Sequence, residues 1–167
     1  MNQTLEQFAA KCHDAIKSQP GPAGRQQVAG LLQEVLKDKA FIDKYVDHSV
    51  GERKILYEDS EFGFCIIAHD YTDAKTSAPH DHAHSWAIYG QARGETLMRD
   101  YQLLEAAAPE KPGKVKETRA YKLTPGVAHV YNEGDLHSPK REGPTSLIRI
   151  EGTNMARIKR LSYEAVE

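Results

Sequence analysis

Apolar residues recur at helical spacing from Thr4 to Lys17, at Leu5, Phe8, Ala9, Cys12 and Ile16, until Gly21-Pro22 breaks the pattern. A second run opens near Arg25 and sets Val28, Leu31, Leu32, Val35 and Leu36 on one face. Phe41, Ile42 and Tyr45 continue it into a shorter helical turn after Lys39. After Gly51 the texture changes to short β-type segments at 54–57, 62–69, 85–89, 95–104, 118–123 and 146–150, punctuated by glycine and proline turns. The 106–116 stretch, with two prolines and a glycine, is expected to be a flexible connection. No helix-length segment separates the strands, so an antiparallel barrel or sandwich is favoured over a parallel βαβ sheet. The expected organisation is one domain over residues 1–167: a helical N-terminal cap over 1–50, a barrel over 51–155 and a C-terminal tail over 156–167.

Composition narrows the classes. Of 167 residues, 40% are hydrophobic and 28% charged, and a net charge of −2 gives no pull toward nucleic acid or a membrane surface. Met1-Asn2-Gln3-Thr4 leads straight into an amphipathic stretch with no apolar leader, and no run is long enough to cross a bilayer, so a cytoplasmic location is expected. Cys12 and Cys65 stand far apart with no CxxC neighbour, which argues against a disulfide framework or a zinc ribbon. Cys65, inside Phe64-Cys65-Ile66-Ile67, reads as a buried apolar thiol, and no nucleophile is assigned.

Five of the eight histidines fall between Pro79 and Pro139, three of them in Pro79-His80-Asp81-His82-Ala83-His84. On a β-strand alternate side chains share a face, so His80, His82 and His84 would project into one space. Neutral imidazole suits iron, nickel, copper and zinc, and three facial ligands leave positions open for water, substrate or oxygen. Trp86 and Tyr89, large aromatics on a central strand, read as packing residues.

The sequence runs His80-x-His82, four residues, Ala87, six residues, Gly94, and later Gly126, five residues, Asn132, one residue, Gly134, two residues, His137, three residues, Arg141. Over roughly 54–152 these spacings resemble the cupin family, whose motifs are G(x5)HxH(x3,4)E(x6)G and G(x5)PxG(x2)H(x3)N. The first motif's glutamate and the second's proline and asparagine are absent. The resemblance implies a cupin double-stranded β-helix, an antiparallel jelly-roll barrel, holding one divalent transition metal through His80, His82 and His137. His129, in a compressed version of the second motif, is the alternative third ligand.

A three-histidine set without the glutamate is similar to the thiol dioxygenases, cupins of the cysteine dioxygenase type. That likeness implies Fe(II), with Ni, Mn or Zn as other candidates, dioxygen as co-substrate, and a small anionic substrate such as a thiol acid. It also places Lys54, with Arg53 beside it, where the family grips a carboxylate; a solvated basic pair is the plainer reading. The family's Ser-x-His-x-Tyr triad is missing from Leu147-Ile148-Arg149-Ile150-Glu151. Arg149 and Glu151 take its last two places, either lining the pocket or facing solvent as a pair on an alternating strand. His84 is assigned to the pocket wall. Competing functions are Lewis-acid isomerisation, decarboxylation or hydrolysis, and non-enzymatic ligand binding.

Overall fold

Thr4 starts the first helix by a capping box: its side chain accepts from the Gln7 backbone while Gln7 accepts from the Thr4 backbone. In the computed structural model, which describes residues 3–167, this helix, α1, spans Leu5–Ser18. Pro22 sits in the first turn of α2 (Pro22–Leu36), three residues before the periodic run begins at Arg25, because proline's fixed φ suits that position. Asp38 caps α3 (Lys39–Tyr45) by accepting from the Phe41 backbone.

Ten strands follow: β1 (Lys54–Glu58), β2 (Cys65–Tyr71), β3 (Lys75–Thr76), β4 (Ala87–Arg93), β5 (Thr96–Glu105), β6 (Gly113–Leu123), β7 (Ala128–Tyr131), β8 (Leu136–Arg141), β9 (Thr145–Glu151) and β10 (Tyr163–Ala165). They form two five-stranded sheets ordered β1-β2-β9-β4-β7 and β10-β6-β5-β8-β3. Without the outermost β1 and β10, the two four-stranded sheets have the interleaved order of a jelly roll, a double-stranded β-helix. All pairings are antiparallel except that of β10 with β6.

The helical cap covers the outer face of the first sheet. Phe8, Cys12, Val28, Leu32, Val35 and Phe41 pack with Ile66, Ala68, Ile88, Val130, Ile148 and Ile150 in one core. With helices on one face and the barrel interior on the other, every residue of β2 is buried. At Gly90 the fit is so close that a Cβ would stand 2.7 Å from Leu32 Cδ2. The inner faces enclose a second core of Ala87, Tyr89, Met98, Leu123 and Tyr131.

Several expectations change. The pattern missed β7 and β8, the strands that carry His129 and His137. Pro139 and the charged Lys140-Arg141 argue against a strand, yet β8 meets only the two-residue β3 on one side, where Pro139 offers its carbonyl to Ser77. Residues 113–116 belong to β6, leaving a shorter turn closed by the Ala108–Lys111 pair. The expected tail contributes β10, which pairs in parallel with the start of β6.

The Asp59 carboxylate ties α1 to the turn between β1 and β2. It accepts from the Phe62 and Glu61 backbones, from Tyr57 Oη and from His13 Nδ1 at 2.9 Å. The hydrogen bond to Asp59 raises the His13 pKa above its ordinary 6.5. A raised folded-state value means that this stabilisation is complete below the unfolded pKa, about 6.5, and is lost as pH rises through the folded one. Thermal melts across pH 5–9 are therefore expected to show a decline in wild-type Tm on the alkaline side that His13→Gln lacks. Parallel profiles would refute the linkage.

Candidate metal centre

His80 and His137 face each other as a bridge. Each backbone N–H donates to the other's carbonyl at 2.9 Å, fastening the approach to β4 onto β8. His82 lies two residues on, at the start of a turn closed by Ser85 N donating to His82 O. The HxH pair thus sits in the loop before β4 and not on a regular strand. Ala83 adopts φ 53, and this reversal ends the alternation assumed from the sequence. His84 is consequently turned out to solvent and exposed, away from the pocket wall expected for it.

One ring nitrogen from each of His80, His82 and His137 falls within 4.8 Å of the others. His80 Nδ1 donates to the Ala78 carbonyl and His137 Nδ1 to the Asp135 carbonyl, both at 2.8 Å. That use of Nδ1–H leaves the Nε2 lone pairs free, the tautomer a metal requires. Burial drives the His80 pKa down to about 4 against the opposing Ala78 bond, and burial likewise lowers His82 and His137, with neighbouring histidines adding to the effect. At neutral pH the three rings are uncharged lone-pair donors. The donor set and its orientation fit a divalent transition ion.

His129 is not part of the cluster. It lies on β7 between Tyr121, on which it stacks with ring centroids 5.1 Å apart, and Tyr131, tilted against it at 4.6 Å, and Tyr131 in turn stacks on His137 at 4.1 Å. An aromatic ring therefore stands between the alternative ligand and the trio.

Beside His80 opens a cavity of about 360 Å³, lined by Tyr71, Arg141, Arg149, Arg160 and Tyr163 and by no carboxylate. Arg141 is 2% exposed, stacks on Tyr71 with 4.9 Å from guanidinium carbon to ring centroid, and leaves Nε and Nη2 without partners among the described residues. Burial and the nearby Arg149 lower its pKa. Arg149 lies over the Tyr89 ring at 4.3 Å, with Nε unpartnered among the described residues and Nη1 at 3.6 Å from Glu151. Glu151 is buried and not solvent-facing. It accepts from Arg53 Nη2 at 3.0 Å and from the Met155 backbone at 3.2 Å.

Arg53 also donates to Asn154 at 3.0 Å, so it is committed to a structural network and does not line the cavity. Lys54 opens the outermost strand β1 and is exposed. The basic side chains that line the cavity are instead Arg141 on β8, Arg149 on β9 and Arg160.

Sequence reading missed Arg141, although it stands where the second cupin motif has asparagine. Tyr71 was missed too; it follows His69 on the inner face of β2, and their rings stack 5.8 Å apart. Tyr89, read as packing, sends its hydroxyl to 3.3 Å from His80 Nε2, 3.3 Å from His82 Nε2 and 3.2 Å from His137 Nε2.

No family model and no curated protein matches this sequence. Among solved structures, the chain is similar to a cupin superfamily protein from Desulfitobacterium hafniense (11% identity, 59% of this chain, 72% of that one, TM-score 0.42). It is also similar to KdgF from Halomonas sp. (18%, 59%, 76%, 0.43). A third is an oxalate oxidase in complex with the substrate analogue glycolate (17%, 55%, TM-score 0.41), of which this chain spans only 42%. The jelly-roll assignment rests on the strand order of this chain itself.

Elemental analysis of protein purified without oxygen or chelator is expected to find about one divalent ion per chain in wild type and in His129→Ala, and none in His137→Ala. The opposite pattern would move the third ligand to β7.

Proposed function

We propose that this chain is a metal-dependent enzyme, a mononuclear non-haem iron dioxygenase acting on a small anionic substrate such as a thiol acid. The observation that carries the substrate class is the buried Arg141 guanidinium, unpaired at the wall of a cavity that His80 also lines. An unpaired buried cation costs on the order of several kcal/mol, and an incoming carboxylate relieves that cost. Ferrous iron held by His80, His82 and His137 would supply dioxygen activation and a Lewis-acidic seat for a thiolate.

The residues of the chain do the rest. Arg141 and Arg149 hold the carboxylate by charge-assisted hydrogen bonds, and the flat guanidinium groups, braced on Tyr71 and Tyr89, fix its orientation. The cavity volume suits a ligand of small-metabolite size. Tyr71 and Tyr163 narrow it from the β2 and C-terminal sides and exclude water from the bound substrate. Arg160, on the segment between β9 and β10, adds a third positive charge at the same wall.

The test is oxygen uptake by iron-loaded protein over a panel of thiol carboxylic acids, with their neutral amides as controls. Uptake is expected with the acids alone. Arg141→Met is expected to raise KM about 10- to 100-fold, the loss of one or two hydrogen bonds to a charged group, with a smaller effect on kcat. Turnover that persists without oxygen would replace this reading with Lewis-acid chemistry, and an unchanged KM would remove Arg141 from the substrate.

A further inference from the structure

The geometry points to Tyr89 as a fourth ligand of the metal centre, its phenolic oxygen completing an N3O donor set with the three imidazoles. This rests on the reading of His80, His82 and His137 as a metal site. Four of the six edges of the figure formed by the three Nε2 atoms and Tyr89 Oη measure 3.2–3.3 Å, including His82 Nε2 to His137 Nε2 at 3.3 Å. One ring nitrogen of His80 also falls within 4.8 Å of one from each of the other two histidines. The phenolic oxygen thus lies as close to each of the three nitrogens as His82 Nε2 and His137 Nε2 lie to each other, so that one cation could meet all four atoms.

With His82, like the other two rings, in the tautomer that a metal requires, hydrogen bonding alone does not account for this convergence. A phenol has one proton to give. With Nδ1–H of His80 and His137 engaged by backbone carbonyls, both Nε2 atoms present lone pairs, and Tyr89 satisfies only one of them. The other accepts from His82 Nε2–H when that ring carries its proton there, and when the proton is on Nδ1 it faces only lone pairs in a buried, low-dielectric space, which is unfavourable until a cation enters.

The position of Tyr89 is imposed by the fold. It is fully buried on β4, in register with Arg149 of β9 and His129 of β7, and its ring is held edge-on by Tyr131 at 5.1 Å. Ala87, at the place of the cupin glutamate, shares its strand face and carries no donor. Ala87 leaves the space into which the longer side chain two residues further on delivers an oxygen.

The test loads the full chain with Fe(III) and records its visible and resonance Raman spectra beside a metal assay. Wild type is expected to show an intense phenolate-to-iron charge-transfer band with tyrosine ring modes. Tyr89→Phe is expected to lose the band while retaining iron, with affinity lowered about 10- to 100-fold or more. Tyr131→Phe, whose hydroxyl pairs with Tyr121 at 2.8 Å, is expected to keep the band. Stoichiometric iron in wild type without the band overturns the assignment on its own, even if Tyr89→Phe does not fold, and so does a band that survives in Tyr89→Phe. Protein that binds no iron overturns the metal reading itself.

Discussion

Two backbone hydrogen bonds, exchanged between His80 and His137 at 2.9 Å each, hold the site together. They belong to the second sheet, where β8 extends past the short β3 and captures the loop that leads into β4. Because this pairing is made by main chain, it fixes both Cα positions before any side chain is considered, and the rings need only rotate inward. Their Nδ1 atoms then lock that rotation against the Ala78 and Asp135 carbonyls. The loop is shaped by the same need. A regular strand through residues 80–84 would send His84 inward with the other two, and the turn at Ala83 spends the chain's freedom on placing two imidazoles well and discarding the third.

The helical cap contributes indirectly. By burying Ile66, Ile88, Ile148 and Ile150 from outside, it makes the first sheet a central layer whose inner face can carry polar groups: His69, Tyr89, Arg149 and Glu151. Hydrophobic stabilisation on one side of the sheet offsets the desolvation of charge on the other. The jelly roll closes these groups against Asp100, His137 and Arg141 from the second sheet.

How much of this was legible in the sequence follows from which residues obey simple periodicities. The helical cap was readable because its core positions repeat at 3.6 residues, and the HxH pair because ligand chemistry limits its spacing. β8 was not, since Leu-His-Ser-Pro-Lys-Arg alternates in neither hydrophobicity nor charge; two of its residues, Pro139 and Arg141, line the cavity, and its ladder is completed by main chain. Arg141 was hidden for the same reason, a fully buried cation being the least expected tenant of a strand. Tyr89 was hidden by resemblance to its own alternative, because a packing tyrosine and a tyrosine aimed at three nitrogens look identical in one dimension. At residues 53 and 54 the sequence offered two readings of a basic pair, and the fold separates its members: Arg53 joins a network with Glu151 and Asn154, while Lys54 is exposed.

Charge gives the deepest constraint on the chemistry. The barrel mouth gathers Arg141, Arg149 and Arg160, and the buried carboxylate nearest to them, Glu151, is already shared with Arg53. Three neutral imidazoles bring no compensating charge, so a divalent ion would enter a region that is already positive. Only anionic donors balance it, and the site has two places for them. From the cavity side an anionic ligand would reach the arginines. From the opposite wall Tyr89, under the Arg149 guanidinium, offers an oxygen. Arg149 touches both places, stacked on the tyrosine ring while its unpartnered Nε belongs to a side chain that lines the cavity. The arginine cluster is therefore costly in the empty barrel, and a metal in the centre and an anion in the cavity, were both bound, would each offset charge that the other meets, so the two occupancies would be coupled by electrostatics.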